Sequence, residues 1–392
     1  MSAVSSAFDH LSERTRLAPE SGIVEVLNHG WGKEGLIPLW AGEGDRPTPE
    51  FIRQAGADAL MAGETFYTQQ RGITDLRQGI ADYYRRQFGV DRPLDDITVT
   101  GSGMQAIKLA IEAVSAPGDE VLYLSPSWPN LPAAFAISGG KPVPVVMDVE
   151  DGRWSVDMER FEAAVTPRTR ALFINTPSNP TGWVATIEDL RAILAIARKH
   201  NLWIIADEIY SRFFYAGTRA PSFLDVAEDG DLILYVNSFS KNWAMTGWRV
   251  GWIVAPQAIG QALENLVQYS TSGVAQFMQK GALKAISEGD AFVDEQVALA
   301  HKARDLFCDI LQATNRVVIE RPEGAFYAFF RIDGLSDTRA AAVDIVNQAN
   351  VGLAPGAAFG PGGDAFMRAC FLRRIDQVED AANRLAGYIA SL

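Results

Sequence analysis

Asn237-Ser238-Phe239-Ser240-Lys241, followed after five residues by Gly247-Trp248-Arg249-Val250-Gly251, joins an apolar run at 232–236 to another at 250–254. Both runs are rich in β-branched and aromatic residues and too short for helices, so they read as strands. A lysine just past a strand end, flanked by serines and with an arginine eight positions on, is poorly explained by packing. The pattern makes sense if Lys241 is a nucleophilic amine and if Ser238 and Arg249 bind a phosphate.

Outward from this point the same rhythm repeats. Further short apolar runs lie at 97–100, 121–124, 143–147, 171–174 and 203–206, and helical stretches separate several of them. One such helix begins at Thr186, a side chain suited to capping, and presents Leu190, Ile193, Leu194 and Ile196 as its buried face. Strand and helix in alternation predict an α/β fold with a mostly parallel seven-stranded sheet between helices. The tail differs: a long helix over 290–313, strands near 316–319, 325–331 and 366–371, and a last helix from about 375. This is a smaller α+β unit, and the first 45 residues are expected to pack with it. The division is therefore a large domain at 46–290 and a small one made of 1–45 and 291–392.

In such sheets ligands sit at the carboxyl ends of the strands. Run 97–100 ends in Gly101-Ser102-Gly103-Met104 and opens a helix at about Gln105. Ser102, Gly103 and Met104 thus form a cup of free amides for a phosphate. Gly101-x-Gly103-x-x-Ala106 also imitates a dinucleotide fingerprint, but the acid that it requires at the end of the next strand is replaced by Ser125-Pro126. Run 171–174 leads into Asn175-Thr-Pro-Ser-Asn179-Pro180-Thr181-Gly182, a composition that also suits a plain turn. Run 203–206 ends in Asp207-Glu208-Ile209-Tyr210, where an aspartate could simply cap a helix.

Composition bounds the function. The chain has 392 residues and a net charge of −13, so it lacks the general basic character of a nucleic-acid binder, and an anionic membrane surface would repel it. No apolar run approaches membrane-spanning length, and the N-terminal stretch carries no export signal. Two isolated cysteines, Cys308 and Cys370, suit a reducing cytoplasm, and the scattered histidines His10, His29, His200 and His301 form no metal-ligand pairing. No metal is expected.

Taken together, Ala41-Gly42-Glu43, Thr48-Pro49, Tyr67 with Gly72, Gly101 to Ala106, Trp128, Asn179 to Gly182, Asp207 with Tyr210, Ser238 to Lys241, Arg249, Pro355-Gly356, Phe359-Gly360 and Arg368 carry a resemblance. In order and spacing, over nearly the whole chain, the sequence resembles the aspartate-aminotransferase-like class I/II aminotransferases, which are fold-type I pyridoxal 5'-phosphate enzymes. The resemblance implies that Lys241 is the Schiff-base lysine and the proton carrier, and that Asp207 keeps the cofactor's pyridine nitrogen protonated. Tyr210 and Asn179 would bond the ring oxygen, and Trp128 would stack on the ring. Ser102, Gly103, Met104, Ser238 and Arg249 would hold the phosphate, joined by Tyr67 from the neighbouring subunit of a homodimer with shared sites. Arg368 would grip the substrate α-carboxylate, with the Gly42 backbone, Trp128 and Asn179 beside it; its alternative is an internal ion pair. A lysine near other cations and partly desolvated is expected to have a lowered pKa.

The resemblance thus implies a cytoplasmic aminotransferase that exchanges an amino group between an L-amino acid and a 2-oxo acid by a ping-pong mechanism. A β-eliminating or cyclising lyase on the same scaffold is the alternative. A binding module that kept the fold and a nicotinamide oxidoreductase stand further off. Met104 and Gly44 depart from commoner family patterns. The substrate side chain is expected to meet the loops around Ile23 and residues 40–46 and a segment from the partner chain. Lys108 is either a reader of a distal carboxylate or part of a solvated helix face.

Overall fold

The computed structural model describes residues 7–16, 18–150 and 152–392. Residues 1–6 and 17, part of the stretch read above for an export signal, lie outside them. The large sheet has seven strands: β1 (Ile97–Thr100), β2 (Glu120–Ser125), β3 (Lys141–Val146), β4 (Thr169–Asn175), β5 (Trp203–Asp207), β6 (Ile233–Ser238) and β7 (Gly251–Val254). Their order across the sheet is β1-β7-β6-β5-β4-β2-β3. Neighbours are parallel except β7, which runs antiparallel to both β1 and β6.

The runs are apolar at nearly every position because both faces of the sheet are covered. Leu122 and Leu124 of β2 join one core cluster, while Val121 and Tyr123 join the other. The helix Gly103–Val114 buries Ala106, Ile107, Ala110 and Ile111 in the second cluster. The helix Ile187–His200 buries Leu190, Ile193 and Leu194 in the first. Its start is set by a reciprocal cap: Asp189 N donates to Thr186 Oγ1 at 3.0 Å, and Thr186 N donates to Asp189 Oδ2 at 2.8 Å. Loss of such a cap costs about 1 kcal/mol.

The first helix after β1 starts at Gly103, ahead of the expected Gln105, because Ser102 Oγ accepts from Gln105 N at 3.0 Å and so acts as its N-cap. Gly251 is required opposite it. A Cβ there would lie 2.7 Å from both Gly103 N and the Ser102 carbonyl carbon.

A second, antiparallel sheet runs in the order Val317–Ile319, Tyr327–Ile332, Met367–Cys370, Ala354–Pro355. The helices Asp290–Gln312 and Ile375–Ser391 pack against each other beside it. Residues Ile37–Pro38 pair in parallel with Val351–Gly352, and the helix Gly22–Gly30 packs on Thr338–Gln348. These two-residue strands are too short to leave a periodic signal in the sequence. The helices Glu50–Met61 and Thr74–Phe88 pack instead on Gln276–Glu288. Among the described residues no helix is long and apolar enough to cross a membrane.

Candidate active site

Register aligns the strand ends: Asn175 lies opposite Asp207, and Gly251 opposite both Ser238 and Thr100. A cavity of about 490 Å³ opens there, closed on its other side by residues 21–24 and 40–43 and by Tyr327 and Arg368 of the second sheet.

Lys241 follows β6 on a single helical turn, Phe239–Asn242, which Ser238 caps: Ser240 N donates to Ser238 Oγ at 3.1 Å. Lys241 Nζ donates to the Gly42 carbonyl at 2.7 Å. Burial pushes its pKa down to about 8, helped by the positive charges of Arg368 and Arg249 and opposed by Cys370 and Glu43. Position 42 has to be glycine, since a Cβ would come within 2.6 Å of Tyr327 Oη.

Asp207 ends β5 and is buried. Its carboxylate accepts one long bond, from Ile209 N at 3.4 Å. Among the described residues no cationic group lies within 4.0 Å of it. Burial raises its pKa to about 7, against the opposing pull of the Ile209 amide and the Lys241 charge. Asn175 ties this strand to the next turn: its Nδ2 donates to the Asp207 carbonyl at 3.1 Å, and its Oδ1 accepts from Asn179 N at 2.9 Å.

Arg368 lies on Met367–Cys370 and is 2% exposed. Its Nη1 donates to Asn179 Oδ1 at 3.1 Å, and its Nη2 donates to the Trp40 carbonyl. The guanidinium sits 4.7 Å from the Tyr327 ring centroid and 5.0 Å from that of Phe359. Its Nε has no hydrogen-bond partner among the described residues. No carboxylate lies within 4.0 Å among the described residues, so the internal ion pair is not what holds it. Tyr210 and Tyr327 share a hydrogen bond of 2.8 Å between their hydroxyls, and burial raises the pKa of both.

At the other end, Gly103, Met104, Ser238 and Arg249 line the cavity, with Ser102 capping the helix behind them. Arg249 is held at φ 55° and ψ 60°, a left-handed conformation that costs a non-glycine residue about 1–3 kcal/mol and collects at functional sites. Its Nη1 donates to the Thr246 carbonyl at 2.5 Å. Trp128 lines the cavity and is half-buried rather than a core aromatic. Tyr67 is not brought to the cavity of its own chain and is 92% exposed. Lys108 also lies outside it: Nζ pairs with Glu112 Oε1 at 2.6 Å, one turn on, so the solvated helix face is correct. Cys308 and Cys370 are free and buried, and no metal-binding cluster occurs among the described residues.

Sequence reasoning missed Tyr327 and the bridging part of Asn175. Tyr327 sits in Phe326-Tyr327-Ala328-Phe329-Phe330, which reads as core. Its hydroxyl in an otherwise apolar strand was the one available signal.

Residues 34–385 match the family model of aminotransferase class I and II. The aromatic-amino-acid aminotransferase 2 of Thermococcus litoralis is 33% identical, over 96% of this chain and 97% of its own length. The aspartate aminotransferase structure of Thermotoga maritima superposes with a TM-score of 0.90 at 32% identity, covering 97% of this chain and 100% of that one. An alanine aminotransferase structure from Pyrococcus furiosus gives 0.91 at 28% identity, covering 98% and 100%. These three differ in the amino acid that they are named for and share the transfer of an amino group. By family match, fold and relatives alike, this chain belongs to the class I and II aminotransferases.

Proposed function

We propose that the cavity binds pyridoxal 5'-phosphate and that the chain uses it to move an amino group from an L-amino acid to a 2-oxo acid in two half-reactions. One observation carries this reading. A carboxylate and a guanidinium, both buried and each without an ionic partner, face the same cavity as an amine of lowered pKa. Buried charges persist where a ligand pairs with them. The donor set fits the cofactor. Asp207 would hold a proton on the ring nitrogen, and Tyr210 and Asn179 would bond the ring oxygen. Trp128 would cover the ring. The amides at Ser102, Gly103 and Met104, with Ser238 and Arg249, would take the phosphate at a helix N-terminus. When bound, the cofactor supplies a reactive aldehyde and a ring that accepts electrons. The chain supplies the rest. Lys241 Nζ, part-neutral near pH 8, would take the proton from the substrate Cα and hand it to the carbon of the cofactor that carried the aldehyde. Arg368 holds the α-carboxylate, with Asn179 and the Gly42 backbone beside it, and so aims the Cα–H bond at the amine.

Transfer of the amino group to pyruvate, oxaloacetate or 2-oxoglutarate is the direct test. Release of pyruvate and ammonia without transfer would point to a lyase. Arg368→Lys keeps the charge and loses the two-pronged fork. It is expected to lower kcat/KM for amino acids and 2-oxo acids by more than about tenfold, the size of a charged hydrogen bond, and to leave cofactor absorbance intact. Amines without a carboxylate should change much less. Equal loss for both substrate kinds would make Arg368 a structural residue.

The proposed active unit is a cytoplasmic homodimer whose sites are shared. Leu60, Met61, Phe66, Tyr67 and Tyr269 are exposed on one chain. The segments bearing Phe66, Tyr67 and Tyr269 are joined by a 2.7 Å bond from Gln70 to Gln268. Tyr67 would then reach the partner's phosphate. Mixing Lys241→Ala and Tyr67→Phe chains should give more activity than the two parent homodimers account for, since each heterodimer has one site free of both changes. Confirmed subunit exchange without that gain would mean self-contained sites. The large domain of this unit would be 46–290 and the small one 1–45 with 291–392.

A further inference from the structure

We infer that the part of this cavity facing the substrate side chain is built for an apolar amino acid and disfavours aspartate. The inference rests on the aminotransferase reading of the same cavity. Three cations line it among the described residues, Lys241, Arg249 and Arg368, and each has a place in that reading: amine, phosphate and α-carboxylate. Within this chain none is left for a second substrate carboxylate.

The remaining wall is apolar around Met104, Ile107, Ile23 and Val24, and its polar members Ser21, Asn130, Thr246 and Glu43 include no cation. Met104 and Ile107 lie three residues apart on the helix Gly103–Val114 and so on one face of it. Ile23 and Val24 approach from the N-terminal helix. The lysine of the first helix, Lys108, is committed to Glu112. Ser21, also on the wall, uses its hydroxyl to accept from Val24 N at 3.4 Å. The wall further carries an anion, Glu43, whose Oε2 accepts from Thr246 Oγ1 at 2.7 Å. Aspartate is short, so its β-carboxylate would be pressed against Met104, Ile107 and Ile23 with no counter-charge from this chain and with Glu43 in the same cavity. An uncompensated carboxylate there is strongly disfavoured, whereas each buried methylene of an apolar side chain is rewarded.

The test uses the holoenzyme with pyruvate as acceptor and L-leucine, L-methionine, L-phenylalanine and L-aspartate as donors. At least one apolar donor should exceed aspartate in kcat/KM by about tenfold or more, a difference that pocket chemistry of this kind produces. Met104→Lys and, at the half-buried mouth, Ile23→Lys each place a cation against this wall. In either variant the aspartate-to-leucine ratio should rise by about tenfold. Aspartate as good a donor as the best apolar amino acid in the unaltered protein overturns the inference, and so does an unchanged ratio in both folded variants. Release of pyruvate, ammonia and sulfide from L-cysteine without an acceptor, together with no transfer from any of the four donors, would instead sink the aminotransferase reading, and this inference with it.

Discussion

Replacing Lys241 with alanine is expected to lower turnover by at least about 10⁴-fold, because one residue is both the nucleophile and the proton carrier. The purified protein should be yellow, and borohydride should fix the cofactor on Lys241. A labelled peptide containing any other lysine would sink the assignment. The titration of the amine provides a second check. Burial disfavours the charged ammonium, so Lys241 loses its proton near pH 8 rather than at the ordinary 10.5. In the cofactor-free chain its reaction with an amine-directed reagent should therefore rise through pH 8. A Lys241 midpoint at or above 10 would mean that the pocket does not desolvate the amine.

Asp207→Ala or Asp207→Asn is expected to cost about a hundredfold or more in turnover, the usual penalty for removing a buried electrostatic partner. A rate near that of the unaltered protein would mean that the ring nitrogen is held in another way. The same change should have the opposite effect on the cofactor-free fold. Asp207 has a pKa of about 7 in the folded chain against an ordinary 3.8, so the folded state binds the proton more tightly than the unfolded one. Its contribution is most favourable below pH 3.8 and is lost as the pH rises through 7. Asp207→Asn removes that loss, so the cofactor-free variant should melt higher than the unaltered chain above pH 7. A lower Tm there would mean that the carboxylate has a stabilising partner in the fold.

Other features of the site divide by the range of the interaction involved. The strand ends were legible because their signals are local: a short apolar run, then Gly-Ser-Gly at 101–103, an acid at 207, or Ser-Phe-Ser-Lys at 238–241. Chain stiffness, capping and turn chemistry act over a few residues, so Thr186 marks its helix without help from the rest of the molecule. The sheet class followed in the same way, since runs apolar at every position need cover on both faces.

What the sequence by itself determined, then, is the α/β class, the order of the strands along the chain and the chemical kind of residue at each strand end. The tertiary structure decided which of those residues meet. Lys241 meets the carbonyl of Gly42 across 199 positions, and Arg368 meets Asn179 across 189. It also decided that Arg368 and Asp207 lack ionic partners among the described residues, that Lys108 turns to Glu112 and away from the cavity, and that Tyr327 brings a hydroxyl into an apolar strand. The physical reason is desolvation. A side chain's charge and partners depend on what surrounds it after folding, and contacts so distant in sequence leave no local pattern from which that surrounding can be read.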